Sequence, residues 1–123
     1  MPETRVVFFT EDNGAVPIVE WLDSLVSKAQ IKCLAKLKRL EDLGHELRRP
    51  EADFLRDGVY ELRVRFQGVN YRILYFFHGK GEAVISHGIT KERVVSPKEI
   101  DLAVDRKARF ELSPENHRFE PPR

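Results

Sequence analysis

Cysteine is nearly absent from this sequence of 123 residues: Cys33 stands alone, so a scaffold stapled by internal disulfides is excluded. An excess of charge of either sign is missing as well. Lys and Arg number 21 against 20 Asp and Glu, and a net charge of +1 gives the molecule as a whole no mandate for a polyanion. Long apolar runs are missing too, since Ile73-Leu74-Tyr75-Phe76-Phe77 reaches only about a quarter of a membrane span. Met1-Pro2-Glu3-Thr4-Arg5 lacks the basic start and apolar stretch of a signal peptide, which predicts a cytoplasmic protein with no membrane partner. The four histidines (His45, His78, His87, His117) show no metal-ligand spacing with one another or with Cys33, and no metal or other cofactor is expected. What is present suffices for a core: 41% of the residues are hydrophobic and 10% aromatic, in a chain the size of one domain.

The order of elements follows from periodicity. Arg5 to Thr10 is β-branched and aromatic and ends at the turn cluster Glu11-Asp12-Asn13-Gly14, which predicts a strand. Pro17 suits a first helical position, and Ile18, Trp21, Leu22 and Leu25 recur at helical spacing. Ser27 is placed to cap a second helix carrying Ile31, Leu34, Leu37, Leu40 and Leu43 on one side and ending at Gly44. The segment from Glu46 to Gly58 has no clean period and reads as a loop. Beyond it, Tyr60, Leu62, Val64 and Phe66 alternate with Glu61, Arg63 and Arg65 as in a half-buried strand. Gln67-Gly68 turns the chain into the apolar stretch Val69 to Phe77, and a hairpin at His78-Gly79-Lys80-Gly81 leads to a strand from Glu82 to Ile89. Ser96-Pro97-Lys98-Glu99 has the form of a capping box and opens a last helix bearing Ile100, Ala103, Val104 and Ala108. The prediction is one α+β domain over residues 1–112 in the order β-α-α-β-β-β-α, with an antiparallel meander. Residues 113–123, which hold three of the seven prolines, are expected to form a flexible tail.

Chemistry concentrates in the strands. Seven Lys and Arg against four Asp and Glu lie between Arg56 and Arg93. With the apolar set of the first meander strand turned inward, Glu61, Arg63 and Arg65 share the opposite face. Arg72 interrupts the next strand with a cation that must meet water, an anion or a carboxylate. Guanidinium groups on a rigid sheet match phosphate oxygens, and Tyr60 and Tyr71 are near enough in sequence to stack on bases. Two alternatives stay open: Arg63 and Arg65 as an ordinary solvated face paired with Glu61, and Arg72 as a buried structural pair. Cys33 reads as an inert thiol, and His87, at the end of an apolar strand, as a hydrogen-bonded structural residue.

Four pieces in order, Gly58-Val59-Tyr60-Glu61-Leu62-Arg63, Tyr71-Arg72-Ile73-Leu74-Tyr75-Phe76, His87-Gly88-Ile89-Thr90-Lys91 and Ser96-Pro97-Lys98-Glu99-Ile100, make the chain resemble a known family. It is similar, over roughly Val6 to Arg109, to the phage-derived, HigB-like branch of the RelE/ParE toxin superfamily. The resemblance implies a small twisted antiparallel sheet packed on an N-terminal helical hairpin. It also implies the toxin of a type II toxin–antitoxin module, a ribosome-dependent mRNA endoribonuclease that needs no metal. Its partners would be mRNA on the ribosome and a cognate antitoxin, expected to be a helix-turn-helix protein covering the sheet face. On that resemblance Arg72, Arg63 and Lys91 are the catalytic candidates, with Arg72 and Arg63 stabilising the phosphate and Lys91 moving a proton. Arg65, Arg93, Tyr71, Tyr60 and His87 would bind substrate. The run after the last strand, Lys91-Glu92-Arg93-Val94, sets an acid among cations where close relatives carry consecutive basic residues. The competing readings are a non-catalytic ParE-like inhibitor of a DNA topoisomerase and a degenerate phage-derived binding protein.

Overall fold

The computed structural model describes residues 4–90 and 94–122. Strand β1 (Arg5–Phe9) leads into helices α1 (Pro17–Asp23) and α2 (Ser27–Leu43). Four strands follow, β2 (Ala52–Arg56), β3 (Val59–Phe66), β4 (Val69–His78) and β5 (Glu82–Thr90), then helix α3 (Pro97–Leu112) and the short strand β6 (Arg118–Phe119). The fold is α+β: six strands form one sheet in the order β2-β3-β4-β5-β1-β6. The expected meander is present but the sheet is mixed, because β1 lies parallel to β5 while every other neighbouring pair is antiparallel. The long excursion through α1 and α2 carries the chain from β1 across one face of the sheet to its far edge at β2, and the meander then returns it to β5, the parallel neighbour of β1.

Two segments differ from the sequence expectation. Residues read as loop between Glu46 and Gly58 contain β2, an edge strand whose register slips between Phe54 and Arg56 and whose burial does not alternate. An edge strand with one bulge and two charges has no period-two signal to find. Residues 113–122, read as an aperiodic tail, carry β6 on the outer side of β1, with Phe8 paired to Phe119 and Phe9 to Arg118. His117 stacks on Phe9 with ring centroids 5.1 Å apart, and Arg118 Nη2 donates to both carboxylate oxygens of Glu82 at 2.6 Å. Pro121 and Pro122 follow, and without N–H groups they stop the edge from pairing further.

The sheet is covered unequally. On one face, Leu62, Val64, Tyr71, Ile73, Tyr75 and Ile85 pack against Ile18, Leu22, Ala29, Cys33, Leu37 and Leu40 of the helical hairpin. The buried stripe of α2 is therefore Ala29, Cys33, Leu37 and Leu40, whereas Ile31 and Leu34, expected inside, are 63% and 45% exposed. Val26 rather than Ser27 precedes the first turn of α2, with no side-chain cap. On the other face α3 lays Ala103 over Val59, Leu74 and Ile89, and Phe110 over Val7, Phe9, Phe76 and Val84. Its start is as expected: Pro97 in the first turn and the Ser96 hydroxyl accepting from the Glu99 N–H at 3.4 Å. The Glu99 carboxylate departs from a capping box, because it turns to His87 Nε2 at 2.9 Å.

Candidate functional site

The β3–β4 hairpin sets the site. Gln67 and Gly68 both take positive φ, 50° and 77°, the two-residue turn whose twist matches the strands it joins. Phe66 then faces Val69, and counting back puts Arg65 opposite Asn70, Arg63 opposite Arg72, and Glu61 opposite Leu74. Val59 and Leu74 on this face meet α3, so Glu61, Arg63, Arg65, Asn70 and Arg72 lie beyond it on the same side. Part of this surface, with Lys36, Pro50 and Glu51, lines an open groove of about 360 Å³ that contains Arg63, Arg65, Asn70 and Arg72.

Two arginines facing each other across strands repel unless a carboxylate lies between them. Here it is Glu61, whose residue is only 4% exposed. The same Oε1 atom accepts from Arg72 Nη1 and lies 3.4 Å from Arg63 Nε. The second contact is an ion pair without hydrogen-bond alignment, and the buried Arg63 Nε–H finds no acceptor. Arg63 Nη2 donates instead to Asp53 Oδ2 at 3.2 Å, and Arg49 Nη2 reaches the same oxygen at 3.0 Å. The Arg49 guanidinium, ahead of lesser contributions from other neighbours, holds the Asp53 carboxyl below its ordinary value. At the groove wall Arg39 and Lys36 bind Glu51 at 2.7 to 3.1 Å and hold its carboxyl down to about 2. Arg65, at the open end of the strand, is exposed.

Of the residues expected to bind substrate, Arg63, Arg65 and Arg72 come together on one face, Tyr71 lines the same groove from the other side of the sheet, and Tyr60 does not join them. Tyr71 is buried on the hairpin face, edge-on to Trp21 at 6.2 Å, and Tyr60 stacks on Tyr75 at 5.4 Å on that same face. Their position follows from the alternation that turns Tyr60, Leu62 and Val64 inward and sets both rings on the side of the sheet opposite the arginines. His87 lies under α3, its Nδ1 2.8 Å from Ser86 Oγ and its Nε2 2.9 Å from Glu99 Oε1. Burial, assisted by Arg106, pushes its pKa below the ordinary histidine value against the pull of Glu99. Neutral His87 satisfies both contacts, accepting from Ser86 and donating to Glu99, which is the structural role read for it. Lys91 and Arg93 lie outside the described residues. Among the described residues no group of three or more His, Cys, Asp or Glu is placed to hold a metal ion, and no helix is long and apolar enough to cross a membrane.

The acids carry little signal in the sequence: Glu61 is expected there only as a solvated partner of Arg63 and Arg65, and Glu51 and Asp53 have no pattern of their own. The hairpin turn at Gln67-Gly68 contained the signal for Glu61, since it fixes Arg63 opposite Arg72 and leaves Glu61 the diagonal neighbour able to separate them.

A family model described as Phage derived protein Gp49-like (DUF891) matches residues 20–108. The chain belongs to the phage-derived Gp49-like family. This Gp49-like family is RelE-like and associated with toxin–antitoxin systems, and the match spans α2, the whole β2–β5 meander and most of α3. The arginine face thus falls inside the family's extent, while β1 and β6 fall outside it. No curated protein matches the chain.

Proposed function

We propose that this Gp49-like protein is the toxin of a type II toxin–antitoxin module, of the HigB-like kind, and that it cleaves mRNA on the translating ribosome. The observation that supports this reading is the placement of Arg63 directly opposite Arg72, with Arg65 one step along, on the part of the sheet face that lies beyond α3. The reaction is attack of a ribose 2′-oxygen on the adjacent phosphorus with departure of the 5′-oxygen. One P–O bond forms and one breaks, giving a 2′,3′-cyclic phosphate and a free 5′-hydroxyl. Negative charge grows on the phosphoryl oxygens in the transition state, and guanidinium groups fixed beforehand lower its energy without reorganising. Arg72 and Arg63 take that role, and Arg65 holds the flanking backbone. Lys91, on the family resemblance, supplies or removes the proton. A cognate antitoxin, a helix-turn-helix protein, restrains the activity by covering the face.

The test is expression of the chain alone in a bacterium, with mRNA 5′ ends mapped before and after translation is blocked. Cuts confined to translated messages support the reading. Growth arrest without new 5′ ends refutes it in favour of a topoisomerase-type inhibitor, and absence of arrest refutes toxicity altogether.

A further inference from the structure

We propose that Glu61 is a positioning residue of this face: its buried carboxylate holds the Arg72 and Arg63 guanidiniums where a phosphodiester meets them, and its charge loosens their grip on the bound anion. The proposal rests on the reading that the face takes RNA phosphate. Three observations carry it. Glu61 is buried, so water cannot replace it between two cations that the β3–β4 register places face to face. One oxygen, Oε1, accepts a hydrogen bond from Arg72 and stands in ion-pair contact with Arg63 at 3.4 Å, so a single charge lies between two guanidiniums. The outer end of Arg63 is tied separately, through Asp53 to Arg49, so Glu61 lies on the inner side of that guanidinium, toward Arg72.

The two effects of such a group oppose each other. A carboxylate within reach of the same N–H donors competes with a phosphate oxygen, which weakens ground-state binding. It also fixes the donors before the reaction, which favours a transition state whose charge appears at one place. A residue that merely supports the fold produces neither signature.

Glu61→Gln separates them, because it keeps the shape and an acceptor oxygen while removing the charge. Cleavage is measured on ribosomes programmed with a short mRNA, and affinity on the same RNA carrying a 2′-deoxyribose at the cut site. The expected result is a KM at least threefold lower, with tighter binding of the uncleavable RNA, together with a kcat at least tenfold lower. A kcat that falls with KM and affinity unchanged would mean loss of folded protein and overturns the proposal, as does an unchanged kcat. Glu61→Asp carries the test if the glutamine variant does not fold: it keeps the charge but not the reach, and should hold the wild-type KM while losing at least threefold in kcat. An aspartate variant with full kcat overturns the proposal. If the wild type neither cuts nor binds the RNA, the reading of the face fails and this proposal falls with it.

Discussion

Arg72→Met tests the physical core of the site before any activity is measured. Arg72 and Glu61 keep only 13% and 6% of their side-chain surface exposed. Deleting one partner of a buried ion pair costs about 3–5 kcal/mol, because the other charge stays desolvated. Glu61 retains Arg63 Nε at 3.4 Å, which places the expected loss at the lower end, about 3 kcal/mol. Unfolding entropy of about 2.1 cal/mol/K per residue amounts to roughly 0.26 kcal/mol/K for a chain of this length, so Tm should fall by about 12 °C. Adding Glu61→Leu removes the stranded carboxylate and should restore most of that loss, to within about 1 kcal/mol of wild type. By the same rule Glu61→Leu alone, which strands Arg72, should cost about 3 kcal/mol, so the cycle should close on a coupling energy of about 5 kcal/mol. Thermal and urea unfolding of the four proteins measures it. A Tm drop under about 4 °C for Arg72→Met, or a double variant no better than the single, would show an ordinary surface pair worth under about 1 kcal/mol. The magnitude bears on function as well: an inactive Arg72→Met speaks about catalysis only when compared with Arg72→Met/Glu61→Leu, which lacks the guanidinium yet is folded.

Three further outcomes follow from the packing. Gly88→Ala would put a Cβ inside the indole of Trp21, whose Nε1–H is held by Thr90 Oγ1 at 2.9 Å, so the ring cannot step aside freely; the overpacking should cost about 1–3 kcal/mol and perturb tryptophan fluorescence, and a Tm equal to wild type would contradict it. His87, held neutral by burial beside Ser86, Glu99 and Arg106, has a folded pKa below its unfolded one; its contribution is complete above about pH 6.5 and is lost as pH falls toward the folded value, so Tm should drop more between pH 7 and pH 5 in wild type than in His87→Gln, and parallel profiles would refute this. Cys33 is fully buried and burial pushes its thiol up to about 11, so a thiol reagent at pH 8 should label it only in denaturant; fast labelling of the native protein would contradict the packing of α2.

The apolar patterns that were strong in the sequence correspond to the elements that are covered. Ile73 to Phe77 has no polar alternation because helices lie on both sides of that part of β4, whereas β3, and β4 at Asn70 and Arg72, alternate where one face is partly open. The edge at β2 was illegible by period, yet Asp57-Gly58, both at positive φ (52° and 81°), marked a hairpin turn that implies a strand before it. Helix α2 misled for a different reason: its leucines at three-residue intervals drift around the helix, and the small residues Ala29 and Cys33 are what let it approach the sheet. Strand β6 was unreadable because two residues of pairing leave no pattern at all. In the site, the cations are visible in the sequence while the burial of Glu61 and its pairing with Arg72 are not, since a carboxylate on a strand looks solvated until the register is known.

That pairing also resolves an apparent conflict between the near-neutral charge and a face built from guanidiniums. Arg63, Arg72 and Arg49 each meet Glu61 or Asp53, and Arg39 and Lys36 meet Glu51, so the surface presents oriented donors rather than a strong net potential. A face of this kind recognises phosphate at hydrogen-bond range and does little to steer it from afar. On the proposed function it therefore contacts about two or three phosphates, and the logarithm of RNA affinity should fall with the logarithm of salt at a slope of roughly −1.4 to −2.1. Between 50 and 200 mM salt that is a loss of about 7- to 18-fold, read directly from titrations of a short single-stranded RNA. A slope steeper than about −4 would mean that many more cations release counterions than the arginine face contains, and that binding is governed by a basic surface elsewhere on the chain.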